Sequence, residues 1–422
     1  MAYYAAGGKW DLAPNYQTYA YPYLTRPAMP GCLNCHASFL KVIPKTQNRY
    51  GNPPFAEGGI ACERCHGSGE AHIRKMKAGD VAGGLAIVNP AKLAPDRRDS
   101  ICSQCHLSGE VRENRAGQDW QSYHPGDRLN DSVVVFVRAA ETSGMKVTSH
   151  MEKLALSACK RSSGDRLWCG ACHDPHFVPS ASERVAWFRG KCLTCHDTSA
   201  CGETQKLRAA RQDDCTACHM TKSTVIDAQH VVYTDHSIPK RPHPATPESP
   251  GNLELVAFGA ATASARDTAL AYGIAASRTS DTDLRTRAAA MLQEALRSAP
   301  DDVEMLLYLA ENYRNGDQEE KAVPLYQRAI KLDPAQVTAS VGLGGILMER
   351  GQYAEAVRLW QDALSKNGGL ELVRINMAVA QWRSGDLTGA ESSLVKAVSI
   401  NPGFATPVDL LRQVREQIQR GR

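Results

Sequence analysis

Twelve of the 14 cysteines in this 422-residue chain belong to one pattern. Cys-x-x-Cys-His recurs at Cys32–His36, Cys62–His66, Cys102–His106, Cys169–His173, Cys192–His196 and Cys215–His219. Chance would place on the order of 0.01 such matches in a chain of this composition. The pattern excludes a plain disulfide framework, and Cys-x-x-Cys-His is the attachment signature of c-type haem. Its spacing follows from the chemistry. Two thiols must reach two vinyl groups on one side of a porphyrin, and the adjacent imidazole must meet the iron from one axial direction. A single helical turn places all three groups around one ring edge. A zinc knuckle or redox dithiol needs only the Cys-x-x-Cys pair, whereas all six pairs here carry the histidine. The reading is six covalent haem c groups, bound by Cys32, Cys35, Cys62, Cys65, Cys102, Cys105, Cys169, Cys172, Cys192, Cys195, Cys215 and Cys218. The proximal iron ligands are then His36, His66, His106, His173, His196 and His219.

Seven histidines lie outside the motifs, all at or before His243. Six bis-imidazole irons need six further ligands, so His72, His124, His150, His176, His230 and His236 are candidate distal ligands, with His243 in surplus. His72 and His176 follow closely on a motif, placed to reach a neighbouring haem. Met145 and Met151 compete less well, because methionine more often fills cores. Two nitrogen ligands close an iron and favour electron transfer, while an open face permits catalysis. Cys159 and Cys201 are left over, and both flank motifs. A disulfide between them is expected in an oxidising compartment. Arg97, Arg98 and Lys160 are candidates to pair with haem propionates, although solvation is the commoner fate of any one surface cation.

The composition breaks sharply. Neither Cys nor His occurs after His243. Residues 1–243 are expected to form a hexahaem domain with little regular structure, since cofactors would supply a core that 6% aromatic residues cannot. Residues 1–30, rich in Tyr and Pro, read as an extended or loop segment, and Val133–Val137 as a strand. Pro239, Pro242, Pro244, Pro247 and Pro250 mark a stiff linker, drawn at 244–263. Residues 264–422 read as an all-α array, so the fold class is mainly α. A net charge of +4 argues against nucleic-acid binding. No apolar run reaches the ~18 residues of a membrane span. The first ten residues lack a basic region followed by an apolar stretch, so they are no signal peptide. Haem attachment requires export, and the expectation is a periplasmic or extracellular protein whose true N-terminus is missing from this sequence.

The second half repeats. Pro300, Pro334, Gly368 and Pro402 are spaced 34 residues apart. Upstream of them lie three in-phase columns: Ala288, Ala322, Ala356 and Ala390; then Leu292, Tyr326, Trp360 and Leu394; then Ala295, Ala329, Ala363 and Ala397. Small residues in one column and large ones in the next let paired helices approach closely. The period resembles the tetratricopeptide repeat (TPR), strongly over 301–402 and less so over 267–300. Gly316 departs from the pattern, sitting one residue earlier than Gly351 and Gly385, so that inter-helix turn is expected to differ. Residues 405–420 are expected to form a capping helix.

Taken together, the chain resembles bacterial multihaem cytochromes c grouped with the tetrahaem electron carriers of nitrifiers and ending in a TPR array. The resemblance is carried by Gly31–Ala37, by Gly59–His72 with its Cys-His-Gly-Ser-Gly-Glu-Ala-His, by Ile101–His106, by Cys169–His176, and by Thr234-Asp-His-Ser-Ile238. Similar proteins run longer at the front, with an export signal and further haem-motif sequence before a segment like Gly8–Pro14. The resemblance implies electron transfer to redox partner proteins and names no partner. The leading function is therefore an exported electron-transfer cytochrome that docks proteins on its TPR array. Two alternatives are a multihaem reductase or oxidase of small nitrogen or sulfur compounds with one open-site haem, and a TPR scaffold.

Overall fold

The computed structural model describes residues 2–4, 8–13, 28–44, 46, 48–80, 86–139, 144–228, 230–241, 253–259 and 261–421. The chain divides into two compact units. One comprises Met1–Pro14 and Ala61–Ala261, the other Asn15–Ile60 and Thr262–Arg422.

The first unit begins with an antiparallel hairpin of β1 (Ala2–Tyr4) and β2 (Lys9–Asp11), in register Tyr3 opposite Trp10. In the second unit, α1 (Pro30–His36) carries the first Cys-x-x-Cys-His motif and leads into the antiparallel pair β3 (Ser38–Val42) and β4 (Tyr50–Glu57). The Arg49 guanidinium donates to the Ser365 carbonyl at 3.2 Å, which ties this segment to the helical array. Residues 28–60 thus belong with the array, and the boundary expected at 243 does not divide the two units.

The rest of the first unit is built from short elements. They are α2 (Glu63–His66), α3 (Glu70–Lys77), α4 (Pro95–His106), β5 (Val111–Asn114), β6 (Val133–Arg138), α5 (His150–Leu156), α6 (Ala158–Ser163), α7 (Cys169–Cys172), α8 (Arg184–Leu193), α9 (Gln205–Ala210), α10 (Cys215–His219), β7 (Lys222–Thr224), β8 (Val232–Thr234) and β9 (Leu255–Ala257). The strand expected at Val133–Val137 is the centre of a three-stranded antiparallel sheet ordered β5-β6-β9. Val133, Val134, Val135 and Phe136 are all buried, as a fully apolar central strand requires. Its outer neighbour β9 lies inside the stretch read as linker: Phe136 faces Ala257 and Arg138 faces Leu255. That end of the linker is therefore strand.

In this unit one apolar cluster joins Leu107, Tyr123, Leu129, Val133, Val135 and Met151. A second joins Met145, Val225, Ala228 and Tyr233.

The array is regular. Its helices are α11 (Ala265–Ser277), α12 (Thr282–Ser298), α13 (Val303–Arg314), α14 (Glu319–Leu332), α15 (Val337–Glu349), α16 (Tyr353–Lys366), α17 (Glu371–Arg383), α18 (Leu387–Ile400) and α19 (Ala405–Arg420). They pack as pairs, α11 on α12 through α17 on α18, and α19 closes the end against α18. Local chemistry marks the starts. Ser264 and Asp267 form a reciprocal capping box on α11, while Asp281 and Asp302 cap α12 and α13. All twelve column residues are buried, with Ala322, Ala356 and Ala390 sealed against the large Tyr326, Trp360 and Leu394. One cluster runs continuously from Ala269 to Ala380. Arg266 is held in a half-buried network by Asp302 at 2.5 Å and by Glu304. The turn expected to differ at Gly316 keeps the common backbone. Asp317 takes φ 56° where its counterparts Gly351 and Gly385 take 74° and 89°. No helix among the described residues is long and apolar enough to cross a membrane.

Candidate haem-binding sites

All six motifs adopt one helical turn. Three lie inside or at the end of α1, α4 and α10, whose last residues are His36, His106 and His219. In the other three the histidine amide bonds back to the first cysteine carbonyl: His66 to Cys62 at 2.9 Å, His173 to Cys169 at 2.8 Å and His196 to Cys192 at 3.0 Å. The helical bond from i to i−4 thus sets each imidazole one turn from its first thiol. Asp214 starts α10 by accepting from the Thr216 amide, and Pro30 and Pro95 open α1 and α4 at the position where a missing N–H costs nothing.

Ring orientation is decided by backbone carbonyls. His66 Nδ1 lies 2.7 Å from the Val88 carbonyl, His219 Nδ1 lies 2.9 Å from Pro239, and His236 Nδ1 lies 2.8 Å from Thr234. A carbonyl only accepts, so Nδ1 carries the proton and Nε2 keeps its lone pair. Metal-bound histidines are fixed by this same outer contact. His124 does likewise, with Nδ1 3.1 Å from the Ser122 carbonyl, although its ring is exposed.

Four histidines meet in one cluster. His106 and His150 approach with Nδ1 to Nδ1 at 3.2 Å. The His150 ring lies 4.9 Å from that of His236, and His236 lies 6.3 Å from His173. Burial lowers the pKa of all four, and the positive ends of their neighbours add to this at His150, whose value falls to about 3. The imidazoles are neutral at pH 7, which is the form a metal takes. A separate pair is formed by His66 and His176, with ring centroids 5.8 Å apart.

Other expected ligands stand apart. His230 Nε2 is held by Asp11 at 2.9 Å, and its ring packs on Tyr4, so the N-terminal hairpin claims it. His72 is half-buried on α3, and His36 and His196 are exposed. His243 lies outside the described residues. Met145 and Met151 are buried in the two apolar clusters, and Met151 sulfur accepts from the Cys169 thiol at 3.9 Å.

One expectation about the leftover groups is corrected: no disulfide joins Cys159 to Cys201. Cys159 and Cys201 are both free, the first half-buried within electrostatic reach of Cys172 and Cys192, the second exposed. Arg98 is buried: it donates to Asp99 at 3.2 Å and to the Asp165 carbonyl at 3.0 Å, and it stacks on Trp168. Lys160 likewise spends its ammonium on Asp99 and the Leu167 carbonyl, and Arg97 donates to the Gly126 carbonyl at 2.8 Å. These cations are committed within the protein. Sequence reasoning also passed over Val88, Tyr233 and Pro239, since a backbone carbonyl leaves no mark on residue type. Tyr233 was legible as the aromatic residue of the strand leading to His236, and its ring packs on His150 at 4.5 Å.

Whether the residues present suit haem turns on their chemistry and surroundings. The donor set pairs two thiols with an imidazole in each turn. Burial pushes the Cys65, Cys172 and Cys192 thiols up, the last to about 12. The buried Tyr123 hydroxyl has no hydrogen-bond partner, and burial, Asp127 and the Cys102 and Cys65 thiols raise its pKa. Apolar side chains beside the motifs are left open: Ile73 at 50%, Phe177 at 44% and Val178 at 81% exposure. Among the described residues no group of three or more His, Cys, Asp or Glu side chains is arranged to hold a bare metal ion.

Residues 283–337, 313–370 and 342–403 match the tetratricopeptide repeat family. The C-terminal region is a TPR array. Among solved structures, the chain is similar to MamA, whose crystal structure is 20% identical, with 32% of this chain and 80% of that one covered at a TM-score of 0.31. MamA MSR-1 is 22% identical, covering 37% and 85% at 0.33. The first TPR of Spaghetti, bound to an HSP90 peptide, is 14% identical, covering 28% and 93% at 0.27. No curated protein matches the chain in sequence. TPR arrays imply protein–protein interaction.

Proposed function

We propose that the chain is an exported, periplasmic or extracellular multihaem c-type cytochrome that passes electrons along six covalent haems and docks its redox partner on the TPR array. The observation that carries this reading is the repetition of one local design: six Cys-x-x-Cys-His turns, with Nε2 left available at His66, His219 and His236 by carbonyls that hold Nδ1. The cysteines would anchor each macrocycle as thioethers, and the six motif histidines would hold the irons. Each haem supplies a one-electron couple whose potential is set by axial ligand, burial and hydrogen bonds. The surplus imidazoles His150 and His236, kept neutral by burial, favour closed irons and hence transfer over catalysis.

A second reading, a TPR scaffold, is favoured by the family match at 283–403, which concerns docking alone. Haem content separates the two. The full chain, expressed in a host that exports and attaches haem c, is expected to carry six haems by pyridine haemochromogen assay and intact mass. All six are expected to be low-spin by electron paramagnetic resonance. A haem-free product from that host would leave the scaffold reading. A high-spin fraction that shifts with nitrite or hydroxylamine would instead point to a reductase or oxidase.

A further inference from the structure

We infer that the turn Cys172-His-Asp-Pro-His176 holds two different irons: His173 serves its own motif's haem opposite His236, and His176 crosses to the haem of the second motif, opposite His66. The inference rests on the haem reading above and deepens it.

Separation is the argument. Two imidazoles on opposite sides of one metal, each with a metal–nitrogen bond of about 2.0–2.1 Å, keep their ring centroids roughly 6 Å apart. His173 and His236 stand 6.3 Å apart with an interplanar angle of 31°, and His66 and His176 stand 5.8 Å apart with 20°. The other close pairs leave no such space: His106 and His150 are 4.6 Å apart, and His150 and His236 4.9 Å. Tautomers agree with the assignment. Val88 and Thr234 carbonyls fix Nδ1 of His66 and His236 and leave Nε2 for a metal. His176 has Nδ1 turned to Asp174 at 3.5 Å, which leaves its Nε2 free as well.

The turn is built for this division. A bridge closes Asp174 against Phe177, and the Asp174 carboxylate accepts from the His176 amide at 2.9 Å. Pro175 fixes the intervening φ. His173 and His176 are thus held by a short, braced loop, yet one ring faces His236 from the segment after β8 and the other faces His66 at the end of α2. A residue next to the fourth motif in sequence would then control the second motif's haem.

The test uses the full chain in a haem-attaching host. His176→Gly is expected to turn one haem of the six high-spin. His176→Met is expected to keep that haem low-spin while raising its midpoint potential, since thioether ligation raises potential. The decisive step repeats His176→Gly in a background of Cys62→Ser and Cys65→Ser, where the haemochromogen assay falls from six haems to five. Loss of the high-spin signal there supports the pairing. A high-spin signal that survives, or none in His176→Gly alone, overturns it. A chain with no covalent haem in its unsubstituted form would overturn the haem reading itself and the pairing with it. The side chain of His176 is 74% exposed, so both substitutions leave the polypeptide packing intact.

Discussion

At the scale of single residues, Asp317 is the most informative departure in the array. It takes the left-handed conformation that Gly351 and Gly385 take at the same place in the repeat. Aspartate tolerates this region better than most residues but pays for its Cβ. Asp317→Gly is therefore expected to stabilise the array by about 0.5–1 kcal/mol, partly offset by the greater chain entropy of glycine. The urea midpoint of the full chain checks this, and an unchanged or lower midpoint would show that the carboxylate makes up the difference. The sequence already signalled something unusual here, since Gly316 stood one residue out of phase. The inference of a different turn was mistaken because backbone geometry followed the helices and not the glycine.

Helices are where sequence and structure agree most closely. A 34-residue period put small and large residues in fixed columns, and those columns are the buried seams between paired helices. The expected cap at 405–420 is α19. The haem-motif turns were legible for the same reason, since spacing alone dictates one helical turn. The small sheets were not. Strands of three residues such as β1, β2 and β9 are too short to show alternation, and β9 follows a proline-rich run that reads as linker. Carbonyl partners of the histidines were illegible because any residue supplies one. Helix α15 offers a test of the seams. A Cβ on Gly344 would lie 2.5 Å from Trp360 Nε1, in a ring that is 1% exposed. Gly344→Ala is expected to destabilise the array by about 1–3 kcal/mol through overpacking, although alanine is the better helix former by about 1 kcal/mol. A stability equal to or above that of the parent in denaturant titration would mean the Trp360 ring yields freely.

On the scale of the whole chain, the two units draw on different sources of stability. The array has a continuous apolar core of its own. Among the described residues the first unit has two small clusters and several open apolar side chains, so on the haem reading proposed above its order would depend on what its cysteines and histidines hold. Binding free energy then becomes folding free energy. Chain made without haem is expected to lose residues 61–241 to brief proteolysis while 262–421 survives as a helical fragment, read by mass spectrometry. Equal survival of both regions would contradict this division. One feature of the array carries a mechanical meaning as well. Gly342, Gly344 and Gly345 yield their side-chain space to Tyr326, Trp360 and Arg314, which arrive from the neighbouring helices. α15 alone is thus a poor helix, ordered by what lies on either side of it. It would be the fuse of the array: a pull along the repeats is expected to part them at this helix first, and a red shift of Trp360 emission as its ring meets water would report the break.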